Sequence, residues 1–418
     1  MKIKNHPLIK TLRTLRGNPR ACVYTEPLWG VPFNLFMPFT SVYMAALLLT
    51  DSQIGIVASV AMLFRAVFAL LSGAITDKLG RKKATLIFDT LSWSIPCLLW
   101  AFSQNFWWFM IAAAFNGMMQ IPDNSWTCLL VEDAEKDAMV RIYSLIHITG
   151  QLAVVFAPIS AMLVNRYTVV PVMRILYVFA FFSMSSKFIL LYKYCDETQV
   201  GKVRKRETKN MSIPAIMSGY KKVFRRVLAS PGMKLALAIS AIFSVTTMIT
   251  ANFFGLYATG TLLVPKHYLA YYPILRSAVI ILFLFTVQPA LARFGFKRPM
   301  MAGIVLYIVS HIVLLTTPVG NFFMPFLYTF LEACAFSLVM PRRDSIVALL
   351  IDSDERARIS SIMTVMTLGC SIPFGYFAGW VSDMDRRLPF ALDTVLFVLV
   401  FIVVCAGGKL MGDKRSSG

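Results

Sequence analysis

The sequence predicts an all-α membrane protein, with twelve transmembrane helices in two pseudo-symmetric six-helix bundles and both termini cytoplasmic. Three observations carry this expectation. Of 418 residues, 57% are hydrophobic and only 15% are charged, with 33 Phe, a balance too apolar for a soluble enzyme or a disordered chain. The apolar residues fall into runs of about 20, the length that crosses a bilayer. The bases that give the net charge of +20 lie in the gaps between those runs, not on a soluble surface that would take nucleic acid.

Residues 1–26 are basic and polar, so no cleavable signal is expected and the first apolar run is retained as a helix. Runs at 27–50, 53–76, 84–102, 106–131, 140–164 and 168–192 make the first bundle, residues 27–192. Runs at 233–259, 268–291, 299–317, 322–351, 359–382 and 388–407 make the second, residues 233–407, with a tail at 408–418. Counted by gap, 31 Lys and Arg fall on the side of the termini and 5 (Arg166, Arg174, Lys266, Arg386, Arg387) on the other. Bases accumulate on the cytoplasmic side of membrane proteins, which sets the orientation.

The gap at 193–232 is the longest and divides the runs six and six. Its first part, 201–209, reads as a solvated basic linker. In its second part Ile213, Ile216, Tyr220, Val223, Phe224, Val227 and Leu228 recur at helical spacing, opposite Lys221, Lys222, Arg225 and Arg226. That is the pattern of an amphipathic helix in the interface of an anionic inner leaflet, serving as an anchor or as a docking site.

The halves also read as copies. Leu-Leu-Val-Glu-Asp-Ala-Glu-Lys at 129–136 parallels Leu-Leu-Ile-Asp-Ser-Asp-Glu-Arg at 349–356, and Ala157-Pro158 parallels Ile372-Pro373. Other classes of site find no support. The seven Cys are scattered, so neither a disulfide framework nor a metal site is expected, and the four His lie too far apart for a metal motif. No phosphate-binding Gly-rich loop and no nucleophile elbow occur, so the reading is of a protein without cofactor and without enzymatic chemistry.

Between the second and third runs stands Gly73-Ala-Ile-Thr-Asp77-Lys78-Leu-Gly80-Arg81-Lys82-Lys83. This stretch, G-x-x-x-D-(R/K)-x-G-R-(R/K) at the end of a second transmembrane helix, resembles the signature loop of the major facilitator superfamily of secondary transporters. A worn counterpart follows the eighth run at 292–298. The resemblance covers about residues 26–407 and implies two parallel repeats with a site between them at mid-membrane depth. It implies alternating-access transport of a small organic solute by a monomer in a bacterial plasma membrane, with efflux favoured over uptake; the cavity carboxylates Asp123, Glu332 and Asp344 lead to the expectation of proton coupling. The competing class is a non-transporting membrane sensor or lipid-handling protein on the same fold. Two family features are absent: Ala113 stands where an arginine is usual, four residues before Gly117, and the span-five proline motif keeps only Gly150 and Pro158.

Ionisable groups inside a bilayer are costly and face the bundle interior or a cavity. Arg65 lies 12 residues before Asp77, about 18 Å deep at the helical rise of about 1.5 Å. Asp123 lies 9 residues before Glu132, about 14 Å deep by the same rise, so the two side chains are expected to meet. Arg276 and Glu332 likewise share a depth, and Arg342-Arg343-Asp344 falls near the depth of Asp123. All lie on spans two, four, eight and ten, which line the cavity in the family architecture. Each pair reads either as a permanent ion pair or as a ligand or proton site. Asp89, Lys187 and Asp393, on the rim spans, are expected to snorkel toward the helix ends.

The substrate-binding or coupling set is therefore Asn34, Arg65, Asp123, Gln151, Arg276, Glu332, Arg342, Arg343 and Asp344. Asn34 stands between Pro32 and Pro38, which loosen the first span. Four arginines against three acids lean toward an anionic or zwitterionic solute. Asp123 is the first choice for the proton, Glu332 the second, with His147 as a relay. Gly73, Asp77, Gly80, Arg81 and Glu132 are expected to form a conformational latch: Arg81 pairs with Glu132 or Asp133, and Asp77 faces the N-terminus of span eleven near Ser360 and Ser361.

Overall fold

The computed structural model describes residues 12, 14–134, 136–217, 220–291, 297–350 and 356–406. Every regular element among them is helical. The first helices are α1 (Gly17–Thr25), α2 (Pro27–Phe36), α3 (Thr40–Ala46), α4 (Asp51–Leu79), α5 (Arg81–Asp89), α6 (Ile95–Ala101), α7 (Phe106–Gly117) and α8 (Gln120–Val131). They continue with α9 (Lys136–Ala153), α10 (Ala157–Tyr167) and α11 (Val169–Tyr194), then through the linker with α12 (Gln199–Glu207), α13 (Ile213–Ile216) and α14 (Tyr220–Ala229). The last six are α15 (Pro231–Leu256), α16 (Tyr271–Leu291), α17 (Lys297–Leu315), α18 (Phe323–Leu350), α19 (Arg356–Met384) and α20 (Leu388–Ala406).

Among the described residues, nine helical stretches are long and apolar enough to cross a membrane. The expected first span is instead broken by a 3-10 turn at Met37–Phe39, where Pro38 removes a backbone donor. The expected fourth is broken between α7 and α8, and α16 runs up to the undescribed residues 292–296. Wider turns of π type sit at Thr90–Ser94 and Tyr257–Thr261.

The chain divides into two compact units, Met1–Met37 with Leu63–Gly219, and Pro38–Met62 with Tyr220–Gly418. In the first unit, α11 packs along α2 and α6. An aromatic cluster fills that seam: Trp29 stacks on Phe33 at 4.7 Å, and Phe36 and Trp100 close on the fully buried Tyr177 at 5.0 and 5.4 Å. In the second unit the core joins α15, α17, α18 and α20 through Ile239, Phe243, Tyr307, Val339, Phe397 and Val400. There Tyr307 and Phe397 stack at 4.5 Å.

Three expectations are corrected. Lys187 does not snorkel: it is 5% exposed, and its Nζ lies 2.8 Å from Glu26 Oε2 between the rings of Trp29 and Trp126. Asp89 and Asp393 are buried as well. Depth along a helix predicts reach to the interface only for a side chain on the lipid face, and these point inward. The linker is not wholly solvated: Glu197 bonds the start of α5, Thr198 bonds Glu132 at the end of α8, and Thr208 bonds the Asp77 carbonyl near the end of α4. The amphipathic helix α14 turns Val223 and Val227 into a core with Ile359, Ile362 and Met363, leaving Phe224 and Leu228 exposed.

Candidate functional site

The signature stretch turns the chain between α4 and α5 at Gly80, whose φ of 87° suits glycine. The turn points the first amides of α5 at the carboxylate of Glu197, which accepts from Arg81 N at 2.8 Å and Lys82 N at 3.3 Å. An acid at a helix N-terminus satisfies orphan donors and the dipole together. The Arg81 side chain then forks: Nε and Nη2 donate to Glu132 at 3.0–3.2 Å, and Nη1 lies 2.9 Å from Asp77. Thr198 donates to Glu132 as well. Burial opposes the Arg81 charge, but the bonds to Glu132 and the field of Asp77 more than offset it, so its pKa is raised. Gly73 sits one turn before Asp77 on the same helix. The side chain of Ser360 lies outside the described residues.

The structure separates the intramembrane charges into closed pairs and open ones. Arg276 and Glu332 form a two-bond pair, at 2.8 and 3.3 Å, under the ring of Phe336. Lys187 and Glu26 are closed, as described above. Arg65 and Asp123 share no hydrogen bond or ion pair among the described residues. The Arg65 Nε is buried without a partner, and Asp123 is exposed. The expected contact between them is not made.

The remaining site residues divide similarly. Asn34 Nδ2 donates to the Gly30 carbonyl at 2.8 Å, back within α2, and Gln151 is half-buried on α9. Arg342 is buried, and its Nη1 donates to the Leu338 carbonyl one turn back at 2.8 Å. Arg343 is half-buried. The side chains of Asp344 and His147 lie outside the described residues.

Sequence reasoning missed a second node, within the Pro38–Met62 and Tyr220–Gly418 unit. Asp51, which opens α4, accepts from Arg386 Nε at 2.8 Å, Arg386 Nη2 at 3.0 Å and Ser382 Oγ at 2.7 Å. Asp383 caps the same helix end, accepting from the amides of Asp51 and Ser52 at 2.9 and 3.0 Å. The bond from Asp51 raises the Arg386 pKa. Below this node α4 and α19 cross at backbone contact: a Cβ on Gly379 would come within 2.6 Å of the Asp51 carbonyl. Ser59 is inserted into the α19 ladder, its Oγ donating to the Ile372 carbonyl at 2.7 Å and accepting from Tyr376 N at 2.8 Å. The sequence signal was present as Gly375-x-x-x-Gly379, a spacing that lets helices approach closely.

Known proteins give this geometry a context. A family model described as the MFS_1 like family matches residues 33–391. Multidrug resistance protein MdtG of Rahnella sp. (strain Y9602) is 35% identical over 97 residues, which is 22% of this chain and 23% of MdtG. The MdtG of Serratia proteamaculans (strain 568) matches to the same extent. The chain therefore covers about a quarter of the length of these curated relatives. Among solved structures, the nucleoside transporter NupG superposes with a TM-score of 0.72 at 17% identity, covering 94% of this chain and 100% of NupG. The POT family transporter PepTSo gives 0.72 at 13% identity, over 96% of this chain and 99% of that one. At such identities the likeness is one of fold.

Proposed function

Because the chain belongs to the MFS_1 like family of membrane transport proteins, we propose that it carries a small organic solute by alternating access, coupled to protons. In this reading it crosses the membrane twelve times with both termini cytoplasmic, and export is favoured. The Lys and Arg asymmetry supports the orientation. The name of the MdtG relatives supports export over a quarter of their length.

The observation that carries the reading is the open pair. A buried cation left unpaired is unfavourable: Lys187 and Arg276 are bonded to neighbouring acids, whereas the buried Nε of Arg65 has no partner. Arg65 and Asp123, on α4 and α8 of one unit, are left apart. Opposite charges held apart at similar depth suit a solute that carries both signs: its anionic group would meet Arg65 and its ammonium Asp123. Asp123 is also the group for the proton. A nearby guanidinium favours the carboxylate, so a change in the Arg65–Asp123 separation between states moves a proton on and off. Solute and proton would then compete for one carboxylate, which links their movements.

The test is a stability screen of the purified protein against zwitterionic, anionic and cationic organic solutes. Zwitterionic or anionic compounds are expected to raise the melting temperature, by about 2.7 kcal/mol of stabilisation at one hundred times Kd. A screen in which only cations stabilise the protein contradicts the assignment.

A further inference from the structure

The second unit buries a titratable pair that the transport reading leaves unused. His311 on α17 and Asp393 on α20 face each other with Nε2 3.7 Å from Oδ2, their side chains 2% and 0% exposed. Neither Asp393 oxygen has a hydrogen-bond partner, nor does His311 Nε2.

The other ring nitrogen fixes the tautomer. Nδ1 lies 2.9 Å from the Tyr307 carbonyl, which has no hydrogen to offer, and 3.3 Å from Ser310 Oγ. The Ser310 hydrogen is already spent on the same carbonyl at 2.7 Å. Nδ1 must therefore carry the ring hydrogen and donate it to Tyr307. In a neutral ring Nε2 then presents a lone pair toward Asp393. If Asp393 were ionised, two acceptors would confront each other with no hydrogen between them, and a buried carboxylate would have no donor at all. An unpaired buried charge is strongly destabilising. One added proton removes the conflict, whether it resides on the carboxyl or on Nε2.

Among the described residues, no other ion pair reaches His311 or Asp393. The ring of Tyr328 stands edge-on to His311 at 5.4 Å, and Phe397 closes the other side at 5.1 Å. Lys297 and Arg298 open α17, more than three turns before His311, and Arg342 and Arg343 lie more than three turns beyond Tyr328 on α18. Tyr307 shares α17 with His311, and Glu332, one turn beyond Tyr328 on α18, is bonded to Arg276 of α16. Helix α15 has its only charged side chain, Lys234, at its N-terminal end. Asp383 of α19 caps α4. Tyr257 donates to the Leu314 carbonyl.

We propose that His311 and Asp393 form a proton-binding site of the second unit, holding one proton between Nε2 and the carboxylate in this conformation. In the transport cycle it is a second proton-carrying site, distinct from Asp123. That role rests on the transport reading, whereas its occupancy by a proton does not.

Occupancy is measured on the purified full chain at neutral pH with 15N-histidine, assigning His311 by its loss in His311→Gln. Infrared difference spectra between wild type and Asp393→Asn complete the measurement. Two results support the site. One is a carboxylic-acid C=O band that disappears in Asp393→Asn, with a neutral His311 hydrogen-bonded at Nε2. The other is a His311 protonated at both nitrogens in wild type and at Nδ1 alone in Asp393→Asn. Asparagine can donate its amide hydrogen to Nε2, so the variant keeps the contact and the packing while losing the proton. A wild-type His311 that is neutral with a free Nε2, beside an ionised Asp393, overturns the proposal. Were the protein to move no solute yet keep either supporting signature, the transport reading would fail and the proton site would stand.

Discussion

At the scale of single residues, the fold uses charge in two ways, and they respond differently to mutation. Lys187 is held by Glu26 and by two indole rings in a buried setting. Removing one member strands the other as a buried charge, at a cost of about 3–5 kcal/mol. Lys187→Met should lower the melting temperature sharply, and Glu26→Gln in the same chain should restore most of the loss. Thermal unfolding of the purified single and double variants measures this. A single variant as stable as wild type would mean that the pair contributes nothing. Sequence reasoning found Arg276 with Glu332, because both lie on cavity spans at one depth. It missed Glu26 with Lys187, because distance from a helix end does not reveal which face a side chain occupies.

At the scale of elements, each end of α4 is tied to a chain-distant carboxylate: Asp383 caps its N-terminus, and Glu132 shares Arg81 with Asp77 near its C-terminus. The Arg81–Glu132 bond was legible through the family resemblance. Glu197 and Thr198 were not, since a run of bases in a linker reads as solvated and says nothing of the acid and hydroxyl beside it. The crossing of α4 with α19 depends on Gly55, Gly375 and Gly379, where a Cβ has no room. Gly375→Leu should push these two helices apart and release Ser59 from the α19 ladder. Labelling of Ser59→Cys by a water-soluble maleimide, slow in the native background, should then become several-fold faster. Unchanged labelling would mean that the crossing is not set by side-chain size.

At the scale of the whole molecule, the helical architecture was legible because hydrophobic run length is a direct physical requirement of the bilayer. The helix breaks were less so. Pro38 announces the turn at Met37–Phe39, and the gap between α7 and α8 lies between Gly117 and Pro122, the latter unable to donate to the Met118 carbonyl one turn back. The candidate site was legible as a set of charged positions, but not as the difference between closed and open pairs, which depends on side-chain direction. That difference makes Asp123 the centre of the account. The most direct measurement is solute movement in proteoliposomes, for wild type and Asp123→Asn, with and without an imposed pH gradient, using a compound found in the stability screen. The account predicts that wild type concentrates the compound in response to the gradient, while Asp123→Asn is correctly inserted but only equilibrates it. Gradient-driven accumulation by Asp123→Asn equal to that of wild type would contradict it.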